Sequence, residues 1–361
     1  MSADLEFPDF TPPGCPRPRC PHYARRLPAE CFLFLRRYRT RGYPGGVPLY
    51  RCVLGEHTFS LRRFSPEFYL HKPERTAWAI EQFASCVSIR QTARQRRGLS
   101  ISSLERRMKR FGQHAQRLLR RAARRAAPLT GDFVLDEAET FERHRLMAPV
   151  TVAVLVHRRT RFAIAAHVGT LAPRIHPGDP RWSAKQTRDL VSGERPRRSE
   201  SRKVVGRALA RLVRVAAPGG LSTLLSDEKA SYRTGLRRLD PHAAIAHRTY
   251  PSRGSKHPRH PLFAVNLQLA MLRDALSRMR RRTWCHSKSR LRLWWHLGIY
   301  LVWRNFVRVR FNGERETAAQ RARLCRRRWT SEDLVRWRLD LGAISFDPFA
   351  ATAPAPLQRA S

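Results

Sequence analysis

Acidic residues are what this sequence is short of. Its 361 residues carry 28 Asp and Glu against 71 Lys and Arg, a formal charge of +43. A chain so charged repels itself unless a polyanion shares its surface. Nucleic acid meets that need, because each phosphate neutralised releases a counterion. An anionic membrane surface is the rival partner, but no basic amphipathic helix is left free of other duties. Arginine bias in an otherwise ordinary protein is the third reading. Long apolar runs are missing too. The most apolar stretch, "LWWHLGIYLVW" at 293–303, is too short to cross a bilayer. The opening "MSADLEFPDF" is acidic and has no apolar centre, so no secretory signal is expected. Cysteines number seven and are scattered, which argues against a disulfide framework. A soluble, cytoplasmic protein is the expectation.

What cysteine there is gathers early. "CPRPRC" sets Cys15 and Cys20 on a proline-shaped loop, and "YRCVLGEHTFS" follows about thirty residues later with Cys52 and His57. Two loops, each offering two ligands, would make a zinc-ribbon-like segment over 1–65 holding Zn2+ on Cys15, Cys20, Cys52 and His57. Gly55 stands where the usual second cysteine of that knuckle would be. A loop without metal is the alternative.

Residues 70–128 read as a helix-turn-helix with a basic linker helix. "ERTAWAIEQFA" and "SIRQTARQRR" are two short helices, Gly98 breaks the chain, and "LSISSLERRMKRFG" is a third. Leu104, Met108 and Phe111 recur at helical spacing and would pack inward, leaving Ser103, Arg106, Arg107 and Arg110 to face DNA. A generic helical hairpin is the competing reading. "QHAQRLLRRAARRAAPL", at 113–129, reads as the separate linker helix, ending at Pro128.

From 131 to 312 strands and helices alternate. "FVLDEAETF" is a strand, "VTVAVLVHRRTRFAIAAHVGTL" a hairpin, "SRKVVGRALARLVRVAA" a helix, "LSTLLSDE" and "AAIAHRTY" two further strands, and Pro261 to Arg282 a long helix. This is the element order of an α/β, ribonuclease H-like mixed sheet flanked by helices. In such a sheet the first and fourth strands are neighbours, so Asp136 and Asp227 would come together. Two adjacent carboxylates repel, and one would hold a proton unless a hard divalent ion lies between them. Mg2+ (or Mn2+) is therefore expected. Glu137 and Glu228 would point to the opposite face. On the last helix Asn266, Arg273 and Arg280 would share a strip beside the apolar stripe of Leu269, Leu272, Leu276 and Met279. Asn266 would then reach the metal and the arginines would meet phosphate. Asp274 is the alternative third acid. The aromatic run at 290–312 reads as core, the segment 313–361 as a small helical piece, and "ATAPAPLQRAS" as a disordered tail.

As a set, "LDEAETF", "SDEKASY", "HPLFAVNLQLAMLRDALSRMRRRTWCHSKSR" and "LGIYLVWRNFVRVRFN" resemble the catalytic blocks of bacterial insertion-sequence transposases of the DDE superfamily. They are closest to the branch with asparagine as third catalytic residue. The resemblance implies catalytic roles for Asp136, Asp227, Asn266 and Lys288. It also implies double-stranded DNA partners (element ends and target), a homo-oligomer on DNA, nucleoid association, and metal-dependent strand cleavage and transfer. A non-catalytic, sequence-specific DNA-binding protein, either a regulator or an inactivated transposase, is the alternative function.

Overall fold

The run Pro149–His157 is buried along its whole length, which an edge strand would not be. In the computed structural model it lies second in a five-stranded mixed sheet. The structure describes residues 12–337 apart from 13, 18, 23–27, 41–42, 69, 96–97, 185, 188–196, 218, 243, 254–256 and 281–285. The expected disordered tail falls outside the described residues.

Two sheets are formed. The first is antiparallel: β1 (Phe32–Thr40), β2 (Tyr43–Cys52) and β3 (Thr58–Ser60), in that order. The second joins β4 (Gly131–Phe141), β5 (Pro149–His157), β6 (Ala163–Thr170), β7 (Ser222–Ser226) and β8 (Ile245–Thr249) in the order β6-β5-β4-β7-β8. Strands β4, β5 and β6 pair antiparallel as a meander, while β4–β7 and β7–β8 are parallel.

The helices are α1 (Thr76–Phe83), α2 (Ile89–Arg94), α3 (Ile101–Ala126), α4 (Ser201–Val213), α5 (Ala230–Leu239), α6 (Phe263–Ala275), α7 (Arg290–Phe306), α8 (Ala318–Arg321) and α9 (Ser331–Arg336). Parallel strands need a crossover, and α4 and α5 supply the two that β7 and β8 require. Sequence reading missed α5, because Tyr232 and Leu236 are its only buried residues and so carry a weak periodic signal. Helices α4 and α5 pack together, with α4 against β5 and β6, whereas α6 packs on β4 and β5.

Three expectations change. The third short helix and the basic linker helix are one 26-residue helix, α3, running unbroken through Gly112. The long helix from Pro261 is shorter. It ends at Ala275, where Leu276 turns extended (φ −120, ψ 105) and enters the core, and a single 3-10 turn, Ser277–Met279, follows. The separate DNA-binding unit and C-terminal segment are also not separate in packing. One hydrophobic core runs from Ala77 in α1 through the sheet to Trp337. Trp329 stacks on Phe306 of α7 at 4.4 Å, and His114 of α3 meets Trp337 at 5.3 Å. The N-terminal sheet keeps its own small core.

Glycine explains how α3 and α7 come so close. A Cβ on Gly112 would lie 2.4 Å from the Trp295 Cβ, and one on Gly298 2.6 Å from the Gln116 amide. Gly112→Ala is therefore expected to destabilise the fold by about 1–3 kcal/mol through overpacking, despite the gain of roughly 1 kcal/mol in helix propensity. Gly206→Ala in α4, where nothing lies within 4 Å, should instead stabilise it by up to roughly 1 kcal/mol. Urea denaturation of the two variants checks the opposite signs. Among the described residues no helix is long and apolar enough to cross a membrane.

Candidate functional site

The parallel pairing of β4 with β7 runs in register from Gly131↔Ser222 to Val134↔Leu225. Two residues further along each chain stand Asp136 and Asp227. Neighbouring strands lie about 4.8 Å apart, so the register sets these carboxylates side by side. Burial pushes the half-buried Asp136 carboxyl up to about 6, and the charges of Asp227 and Glu137 add to that. The Glu137 N–H, 2.7 Å from its Oδ1, and the Arg273 guanidinium pull the other way without winning. Asp227 accepts the Lys229 N–H at 3.1 Å.

Glu137 points to the other face, as alternation along a strand requires. It is not a surface residue. Its side chain is buried and ion-paired to Lys229. It also accepts hydrogen bonds from Thr151 Oγ1 (2.7 Å), Ser201 Oγ (2.9 Å) and, at 3.4 Å, the Tyr232 hydroxyl. Burial raises the Tyr232 phenol far above its ordinary range, reinforced by Glu137, Asp136 and Asp227. Lys229 thus ties the buried face to the Asp227 loop. Its place two residues after Asp227 was the visible signal, but a lysine in a basic chain does not stand out.

The other expected residues scatter. Asn266 is half-buried on α6, the helix that covers the Asp136 face of β4. Arg273, two turns on, is also half-buried, and its charge acts on Asp136 rather than standing free for phosphate. Arg280 is exposed beyond the end of α6, so it does not share the strip of Asn266 and Arg273. Asp274 directs its charge at Tyr300 of α7. Lys288 is not brought to the pair. Ser287 bridges Glu142, six residues past Asp136 and so about 20 Å along an extended strand. The Lys288 Nζ instead meets the His286 ring at 2.7 Å.

At the N-terminus the ligand atoms of Cys15, Cys20 and Cys52 lie within 4.8 Å of one another, all buried, a set that could bind a metal such as zinc. The sulfurs of Cys20 and Cys52 are 3.7 Å apart. A tetrahedral ion with metal–sulfur bonds of about 2.3 Å holds its sulfurs at roughly that separation. Backbone N–H groups of Arg17 and Gly55 point at the sulfurs of Cys15 and Cys52 at 3.3 and 3.4 Å, a cradle suited to thiolates. Burial pushes the Cys15 thiol up to about 12. Burial acts on Cys20 in the same sense but is outweighed by the His22 backbone and the neighbouring thiols, so its thiol sits below the ordinary value.

His57 approaches with Nε2 2.9 Å from the Cys15 sulfur, its Nδ1 on the Gly55 carbonyl at 3.0 Å. That is how a ligating histidine is oriented by its second nitrogen. His22, which sequence reading passed over, sets Nδ1 3.5 Å from the Cys52 sulfur. At Gly55 the packing leaves no room for a side chain. A Cβ there would lie 2.8 Å from both the Cys20 sulfur and His57 Nδ1.

On α3, Arg106 faces solvent as expected, but Arg107 does not. It is 1% exposed and donates to Ser103 Oγ and the Lys72 carbonyl, both at 2.5 Å. One helical step from Met108 and three from Leu104, it falls on the inward face. Ser103 is occupied by that bond, and the half-buried Arg110 lies over the Phe68 ring, 5.9 Å from its centroid. The outward face is a different strip: Arg106, Lys109, Gln113, Arg117, Arg120 and Arg124, all exposed. At 1.5 Å per residue it is about 27 Å long. Neither the protein-family models nor the curated proteins compared contain a match to this chain.

Proposed function

We propose that the chain is a DNA transposase of the kind its catalytic blocks resemble, with a ribonuclease H-like core that cuts and joins DNA strands using Mg2+. The observation that carries this reading is the Asp136–Asp227 pair. In a protein of charge +43, two of the few acids stand side by side, Asp136 on β4 and Asp227 just past the end of the adjacent β7, and oppose one another. The sheet order β6-β5-β4-β7-β8 supports the core assignment.

The donor set fits a hard cation, since two carboxylates whose repulsion Arg273 only partly offsets are relieved by a divalent ion. Asp136 and Asp227 would hold it, with the Asn266 amide as the third oxygen. Bound Mg2+ would supply Lewis-acid stabilisation of charge developing on the scissile phosphate. Arg273 holds positive charge beside Asp136. The Glu137–Lys229 pair, closed by Ser201 and Tyr232, fixes the loop that carries Asp227.

The DNA interface is proposed along the outward strip of α3 rather than through an inserted recognition helix, because Arg107 and Ser103 are engaged within the fold. Replacing Arg117, Arg120 and Arg124 by Gln should flatten the slope of log K against log salt by roughly 2–3, about 0.9 for each phosphate no longer neutralised. Filter binding of a duplex across a salt series measures it, and an unchanged slope would remove the strip from the interface.

The cleavage test uses purified protein, Mg2+ or Mn2+, and DNA spanning both flanks of its own gene. Cutting is expected, and is expected to be lost in Asp227→Ala while duplex binding persists. Binding without cutting under either metal favours the non-catalytic alternative. Normal cutting by Asp227→Ala would place the chemistry elsewhere.

A further inference from the structure

About 20 Å along β4 from Asp136, where Glu142 bridges Ser287, the surface opens into a cavity of about 850 Å³. That volume suits a small ligand. Its wall is more basic than its acids can neutralise, with five cations against Glu142 and Glu200. The acids are already committed. Glu142 is buried and ion-paired to Arg197 and, at 3.4 Å, to Arg290, which reaches Glu200 at 3.2 Å.

Arg143 and Arg207 are left without an ion pair among the described residues, and Lys288 meets the ring of His286 rather than an acid. Arg143 is held in a left-handed backbone conformation (φ 56), its N–H bonded to the Ser287 carbonyl at 3.1 Å. Two helices, α4 and α7, begin at this cavity, with their cap residues Glu200 and Ser289 in its wall, and helix N-termini favour anions.

The rest of the wall is not anion chemistry. Trp294 and Leu291 give it an apolar side. His167 also lines it, with its Nε2 buried beneath the wall and without a hydrogen-bond partner among the described residues. Burial, with Arg211 and Arg207, pushes that imidazole down to about 4, so at neutral pH it is an uncharged donor or acceptor. A phosphate alone would use the cations and leave the indole idle.

We propose that this cavity binds a nucleotide unit, its phosphate on Arg143, Arg207 and Lys288 and its base against Trp294. The unit comes either as a free mononucleotide or as one nucleotide of a DNA strand. The site does not depend on the Asp136–Asp227 centre.

Calorimetric titration of the full chain with dAMP, inorganic phosphate, deoxyadenosine and a short 5′-phosphorylated single strand tests it. dAMP is expected to bind at least tenfold tighter than phosphate or deoxyadenosine. Arg143→Ala/Arg207→Ala should weaken dAMP at least tenfold. Trp294→Leu should weaken dAMP while leaving phosphate unchanged, and Asp136→Asn should bind dAMP as wild type does. A single strand that displaces dAMP, and loses affinity in Trp294→Leu, identifies the strand as the source. One that does not displace it identifies the free nucleotide. The proposal is overturned if dAMP binds no tighter than phosphate, or if the double variant, shown folded by its unfolding transition, binds dAMP undiminished.

Discussion

Asp136→Asn is expected to stabilise the metal-free protein and to abolish its proposed cleavage activity in the same stroke. An unfolded aspartate ionises near 3.8, and burial with the Asp227 charge moves the folded carboxyl up to about 6. Below about pH 3, under both pKa values, the carboxyl is neutral in both states, and Asp and Asn are equivalent. As pH rises towards 6 the unfolded chain ionises first, so the native protein loses stability relative to the variant. Above about pH 6 the deficit levels off at roughly two pKa units, up to about 3 kcal/mol. Urea denaturation in EDTA at about pH 3 and about pH 7 should show almost no difference at the first and a clear advantage for Asn at the second. Adding Mg2+ should restore stability to the wild type and not to the variant, while strand cleavage falls by at least about three orders of magnitude. Equal stability of the two proteins at pH 7 would mean that the carboxylates are not opposed, and the proposed centre would fall with them.

Cys52→Ser should have the largest structural effect, and only at one end of the molecule. Among the described residues the N-terminal sheet packs on seven buried ones, three of them the cysteines themselves. A core that small does not hold a sheet by itself, whereas a structural zinc contributes about 10–16 kcal/mol in small modules at pH 7. One metal ion per chain by native mass spectrometry is expected for wild type and none for Cys52→Ser. Amide exchange across Phe32–Ser60 should become fast in the variant and stay slow across β4 and β5, because the two cores are separate clusters. His57→Ala should lower metal affinity at least tenfold, and His22→Ala less, because only His57 has its second nitrogen fixed on a carbonyl. Full protection of the sheet in metal-free Cys52→Ser would rule out a metal-built segment.

Much of the fold is local and could be read. The alternation of "FVLDEAETF", the two apolar runs around "HRRTR" and the periodicity of "SRKVVGRALARLV" each mark an element that is present. Other features were illegible because their cause lies elsewhere in the chain. Helix α3 continues through Gly112 because Trp295, 183 positions later, presses into that gap. Arg107 stands on the inward face of α3, and the Lys72 carbonyl that receives its buried guanidinium comes from another part of the chain. Alternation turns Glu137 to the opposite face, and only α4 and α5, folded over that face, make it a buried hub.

By itself, then, the sequence determined the alternation of elements, the charge of +43, and the candidates Asp136, Asp227, Cys15, Cys20, Cys52 and His57. Periodicity and residue type are written in neighbouring positions, which is why these could be read. Element order also set Asp136 beside Asp227, but which of the other candidates join or leave them was decided by tertiary structure. Parallel pairing brings Asp136 to Asp227 across 91 residues of chain, and the bridge at Glu142 carries Lys288 away from both. Register and crossover depend on how distant surfaces bury one another, and no local pattern encodes that distance.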